Sequence, residues 1–94
     1  MVKKKSKYKH ISINKKQYYF YKITWLDIFG DSGHRDYDSL SNMKPATKIT
    51  YAFLFKKDYK TLHTFSTFDE KDEEFSDCNV FPIGCIKELK RIEI

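Results

Sequence analysis

Trp25 and Asp27 are the residues whose types and spacing most suggest chemistry. They lie two positions apart in an aromatic stretch, Tyr18 to Ile28, which holds the single tryptophan of the chain. Residues two apart on a strand project to the same side. An indole that can stack on a base would then lie beside a carboxylate that can accept hydrogen bonds from ribose hydroxyls or an exocyclic amine. The structural alternative is that Asp27 accepts backbone N–H groups of the Gly30–Gly33 loop and fixes that loop.

The loop after this stretch is a second candidate site. It offers backbone N–H groups between Gly30 and Gly33, the hydroxyl of Ser32, and two basic side chains, His34 and Arg35. Such a loop can hold an anion. It does not match the phosphate-loop signature, and a plain connector is the alternative interpretation.

Catalytic and metal sites find little support in the sequence. The histidines and cysteines, at positions 10, 34, 63, 78 and 85, do not follow a zinc-ligand spacing. No local feature activates either cysteine as a nucleophile. The acidic segment 69–77 lacks the alternation and central glycine of a calcium loop. We therefore predict a protein that is not an enzyme and that has no metal or cofactor.

The basic charge of the chain is concentrated at one end. Among 94 residues, positions 1–17 hold seven lysines and no acid, whereas the rest carries all 13 acids and a net charge of about −2. We predict a flexible basic arm (1–17, Lys3 to Lys16) and one domain (18–94). The arm either contacts nucleic-acid phosphates or acts as a solubilising tail. Two cysteines, with no apolar leader or membrane-spanning run, favour a reduced intracellular protein without membrane contact.

The elements that must position these residues are mainly strands, as alternation and β-forming residues indicate. We predict one short helix over Asp36 to Met43, capped by Asp36 or Ser39, with Tyr37, Leu40 and Met43 facing the core. The predicted strands are Tyr18–Ile28, Thr47–Phe55, Thr61–Phe68 with a bulge, Asn79–Phe81, and Lys87–Ile94, for which a helix is the competing prediction. His10–Ile13 is a possible edge strand, 69–77 a hydrophilic hairpin tip, and 82–85 a corner with a possible 3₁₀ turn.

The first strand is predicted to have two distinct faces. Phe20, Leu26 and Ile28 are expected to point inward. Trp25 and Asp27 would then lie on a second surface, which is either a subunit contact or the wall of a ligand site.

The order of elements across 18–94 resembles the Src-homology-like and Sm-like small barrels, with Val80-Phe81-Pro82-Ile83 at the corner. The resemblance implies a mostly β fold: a small five-stranded barrel with one short helix in the long first loop. None of the peptide-binding motifs of that superfamily is present.

The chain is also similar to a group of small tailed-phage proteins. The shared features are Trp25-Leu26-Asp27, the Gly30 to Gly33 loop, Lys44-Pro45, Thr50, and Pro82-Ile83-Gly84-Cys85-Ile86. His34 stands where that group often carries Trp. The resemblance implies a phage protein made during infection, acting in the host cytoplasm, and implies no established activity.

From these features we predict a non-catalytic, homo-oligomeric phage protein that sequesters a small anionic nucleotide, such as a host immune signal, in counter-defence. The alternatives are a single-stranded nucleic-acid-binding barrel and a structural or host-protein-inhibiting protein. The predicted ligand-binding residues are Trp25, Asp27, Ser32, His34, Arg35, Lys44, Thr50 and Tyr51.

Overall fold

The computed structural model describes residues 7–94, and in this part of the chain the fold is mostly β, as the sequence predicts. The only α-helix among them, α1, is one turn long. The elements are β1 (His10–Ile13), β2 (Lys16–Asp27), α1 (Tyr37–Ser41), β3 (Ala46–Lys57), β4 (Thr61–Phe65), β5 (Thr67–Asp69), β6 (Glu74–Ser76), β7 (Asn79–Pro82), a 3₁₀ turn (Ile83–Cys85) and β8 (Ile86–Arg91).

Strand β2 is the centre of the main antiparallel sheet. The strand order is β1-β2-β3-β4-β7, and β8 pairs with β2 as well. One edge of β2 pairs with β3, from Phe20 opposite Phe53 to Asp27 opposite Ala46. The other edge is divided between β1 and β8, and they meet at Phe20, whose N–H donates to the carbonyl of Lys9 and whose carbonyl accepts from the N–H of Ile92. Strand β2 therefore connects the two ends of the described chain.

The two faces of this sheet carry two separate cores. On the first, which we call the Tyr18 face, the buried residues are Ile13, Tyr18 and Phe65. On the second, the Ile23 face, they are Ile23, Leu62 and Phe81. A strand presents alternate side chains to opposite sides, so one 12-residue strand contributes to both cores.

The Tyr18 core is an aromatic cluster covered by the β5–β6 hairpin. Phe75 of β6 lies edge-on to Phe65 at 4.7 Å between ring centroids, and Tyr18 lies edge-on to Phe65 at 5.3 Å. Edge-to-face geometry is favourable for aromatic pairs. The acidic segment predicted as a hairpin tip thus forms a two-stranded sheet, and its apolar residues cover part of the Tyr18 face.

The Ile23 core corrects the predicted orientation of the first strand. Ile23 is fully buried, and Trp25 packs against this core together with Ile83, Ile86 and Leu89. Leu26 and Ile28, which were predicted to point inward, are exposed, and Ile28 is 90% exposed. The prediction was wrong because both faces of β2 are rich in apolar residues, so the sequence of β2 does not show which residues are buried. The chain from β7 to β8 covers the face that carries Ile23 and Trp25.

Part of the predicted N-terminal arm is a strand. Strand β1 forms a hairpin with β2 through the two-residue turn Asn14-Lys15, in which both residues have positive φ, as a type I′ turn requires. Ile13 is buried in the Tyr18 core, which explains why this short strand is held. The possible edge strand over His10–Ile13 is therefore confirmed. The flexible arm predicted for 1–17 is wrong for the described residues 7–17, and residues 1–6 lie outside the described part of the chain.

Several local predictions are confirmed. The 3₁₀ turn follows β7, the last element is a strand, and the side chain of Asp36 caps α1 by accepting from the Ser39 N–H at 2.8 Å. The helix does not face the core as predicted: Tyr37 is 85% exposed and Leu40 is also exposed. The sheet is not closed into a barrel, since no strand pairing joins β7 to β8.

Candidate nucleic-acid interface

Trp25, the strongest predicted ligand contact, is part of the Ile23 core. Its indole N–H donates to the Thr50 hydroxyl at 2.9 Å, and its ring lies edge-on to Phe81 at 5.2 Å. The indole is half-buried and its polar atom is already bonded. The indole N–H is therefore not available to a ligand, and Phe81 covers part of the ring.

Asp31, and not Asp27, organises the glycine-containing loop. The Asp31 carboxylate accepts from the Gly33 N–H at 2.9 Å and from Arg35, whose Nη2 lies 2.6 Å away. The backbone N–H of Gly33, and then Arg35, lower the pKa of Asp31 below its ordinary value. Asp27 ends β2, and its side chain makes no hydrogen bond or ion pair with the rest of the described chain. The predicted role of Asp27 as organiser of the loop was wrong.

The other predicted ligand residues do not converge on one site. Ser32 and His34 are exposed in the connection between β2 and α1. Arg35 and Lys44 line an open depression of about 490 Å³ with Phe29 and Met43. Tyr51 lies opposite Lys22 in the sheet and so belongs to the Tyr18 face, away from Trp25.

The part of the Tyr18 face that the β5–β6 hairpin leaves uncovered is the candidate interface. We call it the open platform, and it consists of Phe20, Lys22, Ile49 and Tyr51. Tyr51 and Ile49 are 53% and 55% exposed on β3. The rings of Phe20 and Tyr51 are nearly parallel, at 22°, with centroids 6.3 Å apart. Tyr51 is exposed and Phe20 is half-buried against Phe53, so the sheet offers one open ring beside a partly covered one. Aromatic rings on a sheet are a surface on which bases can stack.

Lysines surround this aromatic surface. Lys9 Nζ lies 4.6 Å from the centroid of Phe20, where it makes a cation–π contact. Lys22 lies opposite Tyr51 on one side and opposite Lys90 on the other. Like charges directly opposite each other destabilise a sheet. The facing pair Lys22 and Lys90 therefore destabilises the sheet, whereas an anionic ligand bound beside the two aromatic rings would reduce the repulsion between the two ammonium groups.

The sequence contains a signal for this surface that the strand prediction did not use. Lys22 interrupts the apolar residues on the same side of β2 as Phe20. A lysine in the middle of a strand face is typical of a face that reaches solvent. Phe20 was nevertheless predicted to point inward, because an aromatic residue in a small domain is normally assigned to the core.

A second aromatic and basic cluster, on the Ile23 face, has a structural explanation. Arg91 lies over the ring of Tyr19 at 4.2 Å and over Tyr8 at 5.5 Å, and its Nε donates to the Tyr21 hydroxyl at 2.8 Å. The bond to Tyr21 raises the pKa of Arg91 above its ordinary value. These contacts attach the end of β8 to β2. Arg91 is exposed, but these contacts already occupy its guanidinium, so the open platform is the better candidate.

A small apolar cavity lies beside the β5–β6 hairpin. It measures about 190 Å³ and its lining includes Phe55, His63, Phe75 and Cys78. The His63 Nδ1 atom is buried without a hydrogen-bond partner within the described chain. Ligand pockets usually measure about 300–1,000 Å³. The cavity is therefore too small for a nucleotide.

Across residues 7–94, three or more metal-binding side chains do not cluster anywhere, and no helix is both long and apolar enough to cross a membrane. Neither a protein-family model nor a curated protein nor a solved structure matches the chain significantly.

Proposed function

We propose that this protein is a non-catalytic binding domain for single-stranded nucleic acid. The observation that carries the proposal is the open platform, where Phe20 and Tyr51 present nearly parallel rings among Lys9, Lys22 and Lys90. Bases stack on the two rings, and the ammonium groups neutralise the phosphates on either side. The N-terminal lysines add contacts of the same kind, independent of sequence.

The sheet has properties that suit this function. Stacking on an aromatic side chain contributes about 1–3 kcal/mol per base. The ladder between β2 and β3, together with the edge of β2 that pairs with β1 and β8, fixes the backbone of the platform, so little ordering is required when a strand binds. Such binding uses the phosphates and the flat faces of the bases, which all nucleotides share, so it should depend little on the base sequence of the ligand.

We further infer that the fold is a Src-homology-like or Sm-like small barrel that is open between its last two strands. The strand order β8-β2-β3-β4-β7 and the 3₁₀ turn between β7 and β8 support this interpretation. The OB-fold, another small five-stranded barrel, binds oligonucleotides on a face of its strands, and this analogy of fold supports the proposal. A role in phage infection rests only on the resemblance of the sequence.

A second candidate function is sequestration of a small anionic nucleotide in phage counter-defence. It is supported by the open depression of about 490 Å³ that Arg35 and Lys44 line. The depression is large enough for a mononucleotide. Arg35 is already bonded to Asp31 and to the Ser39 hydroxyl, however, and both of these contacts would compete with a phosphate.

Fluorescence anisotropy with a labelled single strand of about 12 nucleotides tests the first proposal, because site sizes of this kind of surface run to about 4–16 nucleotides. The Tyr51→Ala variant is expected to bind about 5- to 150-fold more weakly, which corresponds to the loss of one stacked base. Tyr59→Ala is the matched control, since Tyr59 is an exposed tyrosine in the β3–β4 turn, outside the platform. Equal affinities of the two variants would overturn the proposal.

Two variants, Arg35→Ala and Tyr51→Ala, separate the two candidate functions. Calorimetric titration with a mononucleotide should give binding that Arg35→Ala abolishes and Tyr51→Ala leaves unchanged if the depression is the site. Strong binding of the oligonucleotide with no binding of the mononucleotide would exclude the second candidate.

A further inference from the structure

One row of side chains crosses the open platform and continues onto β8. Tyr51 of β3 lies opposite Lys22 of β2, and Lys22 lies opposite Lys90 of β8. Residues directly opposite each other in an antiparallel sheet share a face, so all three lie on the Tyr18 face. Neighbouring strands are about 4.8 Å apart, so the row spans about 10 Å between its outer backbones. We call it the Tyr51 row.

The Tyr51 row ends at an unpaired strand edge on both sides. Strand β3 pairs with β4 only from Phe53 onward, so beyond Tyr51 the described chain places no further strand in the ladder. Strand β8 pairs with β2 alone, so the same holds beyond Lys90. The row therefore consists of one aromatic ring followed by two cations. This set of groups suits one base and one phosphate, and not a run of several phosphates.

The two lysines of the row have no anionic partner in the described chain. Lys90 is exposed and Lys22 is half-buried. Neither forms a salt bridge or a side-chain hydrogen bond within residues 7–94. Like charges directly opposite each other on a sheet repel. The space between the two ammonium groups therefore attracts an anion, and attracts a doubly charged one more strongly than a singly charged one.

The rows on either side of the Tyr51 row differ in charge. On the side of Phe20, the Nζ atom of Lys9 lies 4.6 Å from the ring centroid. On the other side, Glu88 lies opposite Thr24. Glu88 is exposed and forms no salt bridge in the described chain, not even with the lysine two positions later on the same face. Phosphates are attracted on the side of Lys9 and repelled on the side of Glu88. A bound strand is therefore expected to pass Phe20 and to end at the Tyr51 row.

We propose that the protein binds the phosphorylated end of a single strand, with the terminal phosphate between Lys22 and Lys90 and the terminal base on Tyr51. This inference rests on the proposed function and specifies which part of the nucleic acid the platform recognises. A terminal phosphate carries about 1.5 to 2 negative charges at pH 7, whereas a phosphate inside the strand carries one. A strand without the terminal phosphate can place only an internal phosphate between the lysines, and so it binds more weakly.

The charges near the Tyr51 row match a doubly charged group. Lys9, Lys22 and Lys90 supply three ammonium groups, and Glu88 supplies one carboxylate. Together they leave about two positive charges for the ligand to neutralise. An internal phosphate leaves one of these charges uncompensated, whereas a terminal phosphate compensates both.

Fluorescence anisotropy with three strands of one base sequence tests the inference. The first strand ends in a phosphate, the second carries the same phosphate capped as a methyl ester, and the third has no terminal phosphate. The set is made once for the 5′ end and once for the 3′ end, with the fluorophore on the opposite end, so the two sources of a terminal phosphate are distinguished. The wild-type protein is expected to bind the phosphorylated strand of one set about fivefold more tightly than its two controls, an effect of the size of one exposed ion pair.

Two lysine variants locate the site. Lys22→Ala and Lys90→Ala should each remove most of the preference for the phosphorylated strand. Either change relieves the repulsion between the two lysines, so both variants are expected to fold, which circular dichroism checks. The matched control is Lys57→Ala at the far end of β3, which should keep the full preference.

The possible failures are distinguishable. Equal affinities for the three strands in both sets, with binding that Tyr51→Ala still weakens, would overturn this inference and leave the proposed function intact. A preference that persists in both Lys22→Ala and Lys90→Ala would place the terminal phosphate elsewhere and would also overturn it. No binding of any strand would overturn both proposals.

Discussion

Trp25 donates its indole N–H to the Thr50 hydroxyl across the β2–β3 ladder at 2.9 Å. Both residues were predicted from the sequence as ligand contacts. In the structure they satisfy each other, and the hydroxyl is the partner that allows a tryptophan to lie half-buried against Phe81.

Thr50→Val should destabilise the fold by about 1–3 kcal/mol, because it keeps the shape of the side chain and leaves the indole N–H without its partner. Urea unfolding followed by tryptophan fluorescence measures the change. Oligonucleotide affinity should be unaffected at temperatures where the variant is folded. A variant as stable as wild type would show that water replaces the hydroxyl.

Lys22→Ala should weaken oligonucleotide binding equally for all base sequences. It should also reduce the slope of log affinity against log salt by about 0.7, the value for one phosphate contact on a single strand. Anisotropy titrations at several salt concentrations measure this slope. The control is Lys57→Ala, at the far end of β3, for which the wild-type slope is expected. The same slope in both variants would exclude a phosphate contact at Lys22.

Phe75→Ala should destabilise the protein by about 3 kcal/mol, the lower end of the range for removing a packed phenylalanine, since Phe75 is half-buried. Its ring contacts Phe65, Phe55 and Phe68 at 4.7, 5.1 and 5.0 Å between centroids. The matched change is Phe29→Ala, at an exposed phenylalanine, which should cost less than about 0.5 kcal/mol. Thermal or urea unfolding compares the two, and similar losses would mean that the hairpin does not stabilise the Tyr18 core.

Asp58 makes the stability dependent on pH in the acid range. Its carboxylate accepts from the N–H groups of Lys60 and Thr61, and these bonds lower its pKa below the ordinary value. A group whose pKa is lower in the folded state stabilises the fold above its unfolded pKa, about 3.9, and this contribution is lost as the pH falls through the folded pKa.

The Asp58→Asn variant should therefore be less stable than wild type near neutral pH, and the difference should shrink as the pH falls well below about 4. Urea midpoints across this range provide the measurement. A difference that stays constant with pH would show that the charge of Asp58 does not contribute.

Most strands could be predicted from the sequence because β-forming residues alternate over long stretches, but the predicted strand Thr61–Phe68 is divided between β4 and β5, which lie in different sheets. The Asp36 cap, the 3₁₀ turn and the final strand were identified in the same way, from local residue types. These features depend on neighbours in sequence, so the sequence contains the information directly.

The orientation of β2 could not be predicted, because it depends on which distant segments cover each face. Tyr18 and Ile23 are five residues apart and belong to different cores, one covered by β5–β6 and the other by the chain from β7 to β8. Tyr51 was among the predicted ligand-binding residues, but the rest of the candidate site was missed for the same reason. Phe20 and Tyr51 become a surface only because the hairpin ends before it reaches them.

The junction at Phe20 has a consequence for how fast the protein folds. Ile23 pairs with Leu89, and the N–H of Ile94 donates to the carbonyl of Lys7 at 2.7 Å, so the central ladder is completed by residues from opposite ends of the described chain. The hairpins β1–β2 and β5–β6 are local and can form early. The β2–β8 ladder requires closure of a loop almost as long as the domain, and folds dominated by such contacts refold in about milliseconds to seconds. The Ile23 core is therefore expected to form last, and the rate of that step should limit refolding.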